Sequence, residues 1–260
     1  MDDRPSAAQV LLTRPQGRNE ALAQALRDTG LTVMVAPALA VEWLDTPRPP
    51  ACPGDLFIFV SRQAVDAYFS AQPVPWPPGA WAGAVGAATA QALQAHVPPA
   101  RILAPADGLP PDSESLLATI QAQALPVGRV RILRAEHGRD WLADQLRQLG
   151  WQVDIHALYR RDPCVWNAVA CARLASPEPL VLLLTSLEAL SAIESSLEAR
   201  RLDWPPVLHA VTLHERIARR LQYRYADRPD GVLHVTLSSP DGAALFQAIV
   251  AASRQLPRRT

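Results

Sequence analysis

Hydroxyls, arginines and small residues recur just after short apolar runs: Thr13 with Arg14, Ser61 with Arg62, Gly86 with Thr89, Arg134 with Gly138 and Arg139, Thr185 with Ser186, and His214 with Arg216. If those runs are parallel strands, these residues lie beyond the carboxyl ends, where α/β sheets bind ligands. Helices starting there offer free N–H groups and a positive dipole end. Together with guanidinium groups they suit carboxylates or phosphates. Ser61 and Ser186 have a second reading as plain helix N-caps, and a cap does not exclude a ligand contact.

Other chemistries lack their residues. All 25 basic residues are arginine, which removes a lysine Schiff base, a pyridoxal-phosphate lysine and a Walker A lysine. No GxGxxG follows an apolar run, and GAVGAAT at 83–89 is a poor imitation of a dinucleotide loop. No GxSxG elbow exists to anchor a hydrolase triad. The six histidines, 96, 137, 156, 209, 214 and 234, form no HExxH and no short-spaced ligand pair. His137 reads as solvated in a loop, and His209 and His234 as structural. Cys52, Cys164 and Cys171 show no CxxC spacing, so a disulfide framework and a zinc knuckle are disfavoured and a reducing cytoplasm fits. Arg216, Arg220 and Arg224 share a helix face, and with zero net charge that face reads as solvated rather than as a nucleic-acid stripe. The expected site is built from hydroxyls, arginines and backbone, without metal or cofactor.

The elements that must carry this set are regular. Of 260 residues, 49% are apolar and 19% charged, enough for a real core. Apolar runs at 10–13, 32–37, 55–61, 81–86, 100–105, 129–134, 151–158, 179–186, 207–212 and 232–237 predict strands. Helical patterns at 19–29, 62–69, 88–95, 113–124, 140–149, 215–225 and 242–253 alternate with them, and a less regular stretch is expected after LYRRDP (158–163). This alternation predicts parallel sheets in an α/β protein. The chain also repeats itself: eight of 24 gapless positions are identical between 10–33 and 130–153, among them Arg14/Arg134, Leu26/Leu146 and Gly30/Gly150. Two further pairs follow in the same order, 55–65 with 179–190 and 82–93 with 209–221, which indicates two similar domains arisen by duplication. Proline-rich loops fall at 47–53, 73–78, 105–111 and 204–206. The start, MDDRPSAAQVLLTRP, is acidic where a signal peptide is basic, and no run approaches the roughly 20 apolar residues of a membrane span. A soluble, cytoplasmic protein is expected, with no membrane or nucleic-acid partner.

The motifs VLLTRPQGRNEALAQALRDTGLTV, DLFIFVSRQAVDAYF, AVGAATAQAL, RILRAEHGRDWLADQLRQLGWQVDIHALYRR, LLTSLEAL and HERIARRL resemble, in order, those of the uroporphyrinogen-III synthase family. The resemblance implies two flavodoxin-like parallel-sheet domains joined by a two-stranded linker, with the active site in the interdomain cleft. The implied division is 1–36 plus 164–260 for a discontinuous first domain, 42–157 for the second, and 37–41 and 158–163 for the linker strands. It implies a cofactor-independent lyase of haem biosynthesis that cyclises hydroxymethylbilane to uroporphyrinogen III, inverting ring D and losing water. It also implies a monomer, supplied with substrate by hydroxymethylbilane synthase. Tyr159 matches the tyrosine proposed in the family as acid for the departing hydroxyl. Thr89 matches the AVGxxTA threonine, Ser61 and Ser186 the hydroxyls after paired strands, and Arg14, Arg134 and Arg139 arginines placed to meet carboxylates. The last third departs from the family pattern, with His214-Glu215-Arg216-Ile217-Ala218 where many members repeat GxxTA.

Two other readings use the same fold. A non-catalytic, two-lobed tetrapyrrole sensor would need a fused DNA-binding or signalling segment, and none is expected after the last helix. A phosphoacceptor receiver would need acids clustered at strand ends, where this chain has Ser61, Arg134 and Ser186.

Overall fold

The computed structural model describes residues 9–70, 75–106 and 108–256. The acidic start, Pro73 and the last four residues of the basic tail lie outside them. In chain order the elements are β1 (Gln9–Leu12), α1 (Glu20–Asp28), β2 (Thr32–Val35), β3 (Leu39–Trp43), β4 (Leu56–Phe59), α2 (Arg62–Phe69), β5 (Trp81–Ala84), α3 (Ala87–Leu93), β6 (Ile102–Leu103), α4 (Ser113–Ala122), β7 (Arg129–Ala135), α5 (Trp141–Gln148), β8 (Gln152–Pro163), α6 (Ala168–Leu174), β9 (Leu180–Leu184), α7 (Leu187–Glu198), β10 (Val207–Thr212), α8 (Glu215–Ala226), β11 (Val232–Leu237) and α9 (Gly242–Gln255).

The chain divides into two compact units, Met1–Val41 with Asp162–Thr260, and Glu42–Arg161. We call them the split unit and the continuous unit. The split unit holds a sheet of order β11-β10-β9-β1-β2, and a second sheet runs β3-β8-β7-β4-β5-β6. The boundaries between units fall inside β3 and at the end of β8. Pairing is parallel between β1 and its neighbours and between β7 and its neighbours, with Val10 opposite Val33 and Val181 and Val130 opposite Val153 and Leu56. Strand β3 instead runs antiparallel to β8, as the hydrogen bonds from Leu44 N to the Leu158 carbonyl and from Cys164 N to the Ala38 carbonyl require. The repeat seen in the sequence is therefore a repeat of topology. Strands β2, β1, β9, β10 and β11 occupy, in order, the positions of β8, β7, β4, β5 and β6.

Local chemistry explains these elements. The central strands LFIF of β4 and LVLLL of β9 are buried at every position, as strands covered on both faces must be. Helix α1 buries Leu22, Ala23 and Leu26, and α5 buries Leu142, Ala143 and Leu146. Each ends before a glycine at positive φ, Gly30 at 86° and Gly150 at 90°, which an L side chain would enter only with strain. Mainly aliphatic clusters cover both faces of the split unit's sheet, one of them including Trp166, Trp204 and Tyr225. In the continuous unit one face is mainly aliphatic with Trp151, and the other carries the aromatic group Phe57, Phe59, Tyr68, Phe69 and Trp76. Arg131 crosses beneath that group to a buried ion pair with Asp55 and donates to the Pro50 carbonyl at 2.6 Å.

Two expectations change. The run 100–105 shrinks to the two-residue β6 after a 3₁₀ turn at Pro99–Arg101, because Pro98 and Pro99 cannot donate to a ladder. The stretch expected to be less regular contains α6, capped by Asn167 Oδ1, which accepts from Ala170 N at 2.9 Å. No helix among the described residues is long and apolar enough to cross a membrane, and all three cysteines are free thiols.

Candidate active site

The parallel order brings adjacent strand ends together within each unit. In the continuous unit the carboxyl ends of β8, β7, β4 and β5 lie side by side and carry Tyr159, Arg134, Ser61 and Gly86. Helices α2 and α3 begin there. Ser61 is the N-cap of α2, its Oγ accepting from Ala64 N at 3.2 Å. Gly86 is the N-cap of α3, and a Cβ on it would lie 3.1 Å from Pro111 Cβ, so glycine lets the Pro111 segment close over the helix start. Thr89 is buried in the first turn of α3, and its hydroxyl makes no hydrogen bond among the described residues. Arg62 is exposed beside Asp66, its Nε 3.7 Å from a carboxylate oxygen.

A bulge sets the position of Tyr159. Arg134 lies opposite Ala157, but Ala135 lies opposite Tyr159, so Leu158 is the extra residue. The tyrosine side chain is fully buried, with its hydroxyl 2.8 Å from Ser61 Oγ. The Trp43 ring meets it edge-on with centroids 6.2 Å apart. Arg161 lies over the ring, its Cζ 5.8 Å from the centroid and its Nη2 3.5 Å from the phenol oxygen. Sequence reasoning singles out neither Trp43 nor Arg161. Their only signal there is proximity to the LYRR motif and to the segment that enters the continuous unit.

The loop after β7 is tied by its own charges. Arg134, expected to meet a ligand carboxylate, already holds Asp140 at 2.7 Å and donates to the Arg139 carbonyl at 3.1 Å. Gly138 lies against this guanidinium, with room for no more than van der Waals contact at 3.6 Å from a built Cβ. Arg139 is exposed and reaches Glu114 at 3.3 Å.

In the split unit the neighbouring ends of β1, β9 and β10 carry Arg14, Thr185 with Ser186, and His214. Ser186 caps α7, accepting from Ala189 N at 3.1 Å. His214 caps α8 through Nδ1, which accepts from Arg216 N at 3.1 Å. The imidazole thus performs the capping that Gly86 leaves to backbone in the other unit, and in a neutral ring it places the proton on Nε2. Arg216 itself is exposed. The Thr185 hydroxyl and the Arg14 guanidinium make no hydrogen bond among the described residues. Burial holds the Arg14 pKa below its ordinary value, and the neighbouring Arg18 cation lowers it further. Two close cations at one strand end are the electrostatic pattern of an anion site.

The profile of the family described as uroporphyrinogen-III synthase HemD matches residues 9–229. A Proteus mirabilis protein named uroporphyrinogen-III synthase is 32% identical over 164 residues, 58% of this chain and 79% of that relative. Among solved structures, a mutant uroporphyrinogen III synthase from the extremely thermophilic bacterium Thermus thermophilus superposes with a TM-score of 0.55 at 18% identity, covering 96% of this chain and 100% of that one. The enzyme from Helicobacter pylori gives 0.54 at 14% identity, covering 94% and 99%. These two likenesses speak to fold, and the family match spans the strand ends described above. The chain therefore belongs to the uroporphyrinogen-III synthase family.

Proposed function

We propose that this chain cyclises linear hydroxymethylbilane to uroporphyrinogen III, inverting ring D and releasing water, as a cofactor-independent hydro-lyase of haem biosynthesis. Membership of the family supports an enzyme of that pathway. The observation that carries the reaction is the pair of hydroxyls, Tyr159 and Ser61, held 2.8 Å apart at adjacent strand ends. A phenol O–H can donate its proton and is a proton source where a hydroxyl must leave as water.

The rest of the set suits the substrate. Hydroxymethylbilane carries eight carboxylates, and Arg14 beside Arg18, with the N-termini of α2, α3, α7 and α8, supplies positive potential without a metal. Arg62, Arg139 and Arg216 are exposed and long enough to swing toward propionate or acetate arms. Thr89 and Thr185 offer unengaged hydroxyls. Arg134 and Gly138 act as framework that shapes the loop. The bare bilane closes by itself to the uninverted isomer, so the enzyme's work is largely positioning. We also propose that the chain works as a cytoplasmic monomer and takes its substrate from hydroxymethylbilane synthase.

The test is direct. Fresh hydroxymethylbilane is added to the purified protein, and type I and type III products are resolved after oxidation. Predominance of type III is expected. Type I alone, at the uncatalysed rate, would overturn the proposal.

A further inference from the structure

We infer that Ser61 delivers the proton to the departing hydroxyl, and that Tyr159 stands behind it as the reservoir. This rests on the synthase reading above and assigns the atoms within it. The Tyr159 side chain is fully buried, so its hydroxyl has no open face to offer a ligand, whereas Ser61 is half-exposed at the start of α2. A phenol in that position can give up its proton only through a neighbour.

Hydrogen-bond direction points the same way. A serine hydroxyl has one proton to donate and two lone pairs to accept with. One lone pair of Ser61 takes the Ala64 N–H at 3.2 Å. Arg161 has only N–H groups to offer, so at 3.5 Å it is the donor and the phenol oxygen the acceptor. The phenol proton has no acceptor among the described residues other than Ser61 Oγ, 2.8 Å away, so it points there and fills the second lone pair. Both acceptor positions of Ser61 are used, and no acceptor for its own proton exists among the described residues. The chain of donors runs Arg161, Tyr159, Ser61, and ends in an O–H aimed outward. The equivalent Ser186 also caps a helix, but no phenol stands behind it.

The step balances without a co-reactant. The carbon–oxygen bond of the hydroxymethyl group breaks with its electron pair on oxygen, pushed by the pyrrole nitrogen. That oxygen takes the Ser61 proton and leaves as water. Ser61 takes the Tyr159 proton, leaving a phenolate facing the Arg161 guanidinium. Ring D bonds to the cationic methylene through its substituted carbon, which has no hydrogen. The bond from that carbon to its old methylene bridge breaks and re-forms at the ring's unsubstituted α carbon, and the proton that this carbon then sheds returns through Ser61 to Tyr159. Nothing is oxidised or reduced, and one water is lost.

The test uses the full chain with hydroxymethylbilane, and reads kcat, KM, Tm and the rate across H₂O–D₂O mixtures for wild type, Ser61→Asn, Ser61→Thr and Tyr159→Phe. Asparagine keeps an N-cap acceptor and has no hydroxyl proton. Threonine keeps both. Ser61→Asn should lose about a hundredfold in kcat, the low end of a general-acid contribution, with KM within about twofold. Ser61→Thr should restore most of the rate. The wild-type dependence on D₂O fraction should be curved, as two protons in flight require, and should become linear in Tyr159→Phe. Losses in the double variant Ser61→Asn/Tyr159→Phe should match the single ones rather than multiply, because the two groups act as a unit. Wild-type kcat in a folded Ser61→Asn, multiplying losses, or a linear wild-type D₂O dependence would overturn the relay while type III formation upheld the synthase reading. Type I product alone from the wild type would remove both. If Ser61→Asn melts early, the shape of the wild-type and Tyr159→Phe D₂O dependences decides the matter.

Discussion

The two units use one strand order and one register, yet they equip equivalent positions differently. Ser61 and Ser186 each follow a fully buried strand and each cap a helix. Only Ser61 has a tyrosine behind it, because β8 runs on past its bulge to Tyr159 while its counterpart β2 stops at Val35. Arg14 and Arg134 occupy matched sites at the ends of β1 and β7, but Arg134 is bound to Asp140 while the Arg14 guanidinium makes no hydrogen bond among the described residues and faces the repulsion of Arg18. Cross-strand neighbours differ too. Strand β5 begins with Trp81 under the Arg101 guanidinium, 4.7 Å from ring centroid to Cζ, whereas in β10, one matched position further along, His209 lies beside His234. The scaffold was duplicated and the chemistry was not. The continuous unit holds the candidate proton source, and the split unit an arginine at a strand end with no hydrogen bond among the described residues.

Variants at matched positions test that asymmetry. Tyr159→Phe should lower kcat about tenfold to a hundredfold with little change in KM, a contribution at or below the low end for general-acid groups. Steady-state assay of type III product checks it, and an unchanged kcat would reduce Tyr159 to a packing residue. The arginine pair should split by readout. Arg14→Ala should raise KM roughly tenfold to a hundredfold, the worth of one charged hydrogen bond, while leaving Tm within about 1 °C. Arg134→Ala should instead cost stability, about 1–2 kcal/mol or roughly 2–8 °C in Tm, because it frees Asp140 and the loop that follows β7. If both variants changed the same quantity, the contrast between engaged and unengaged arginines would fail.

Acid should weaken the split unit through His209. Burial, and then the neighbouring His234, push its pKa down to about 4 from an ordinary 6.5. Between those values the unfolded chain binds the extra proton, so stability is complete above about pH 6.5 and declines as pH falls toward 4. Melting curves across that range should show the decline in wild type and a shallower one in His209→Gln. Equal slopes would show that other groups dominate. The smallest effect is expected for Ser186→Ala, about 0.5–1.5 kcal/mol of lost cap, with a smaller fall in kcat than Ser61→Asn.

What the sequence discloses follows from range. Strands, helices and the repeat are written in patterns of a few residues. The pairing of Val10 with Val33 and of Val130 with Val153 can be expected once Gly30 and Gly150 are seen to close matched helices. The strand ends also name most of the candidate site. The Ser61–Tyr159 contact spans 98 positions and depends on a bulge that no local pattern marks. Arg131, in an apolar run, is legible only as an inward-facing charge needing a partner, and its partner Asp55 lies 76 residues away. Helix α6 escapes a reading of the sequence because seven residues carry too little periodicity, although Asn167 is available as its cap. Arg134 misleads for a different reason: its type and place are right for a ligand, and only coordinates show that Asp140 satisfies it.

The position of β9 has a consequence for the order in which the chain can fold. It lies between β1 and β10 at the middle of the split unit's sheet, and it pairs Leu180 with Gln9 across the whole continuous unit. During synthesis the continuous unit has all its residues once Arg161 has emerged. By then the split unit has only β1, α1 and β2, a two-strand ribbon missing its central partner. Long-range parallel pairing is slow because the connecting loop must first be closed. Folding the intervening 120 residues into a compact body shortens that closure, and the hydrogen bond from Cys164 N to the Ala38 carbonyl at 2.9 Å ties the returning chain beside the departing one. Until β9 arrives, the edge of β1 that it covers stays unpaired and is the segment of this protein most open to wrong partners.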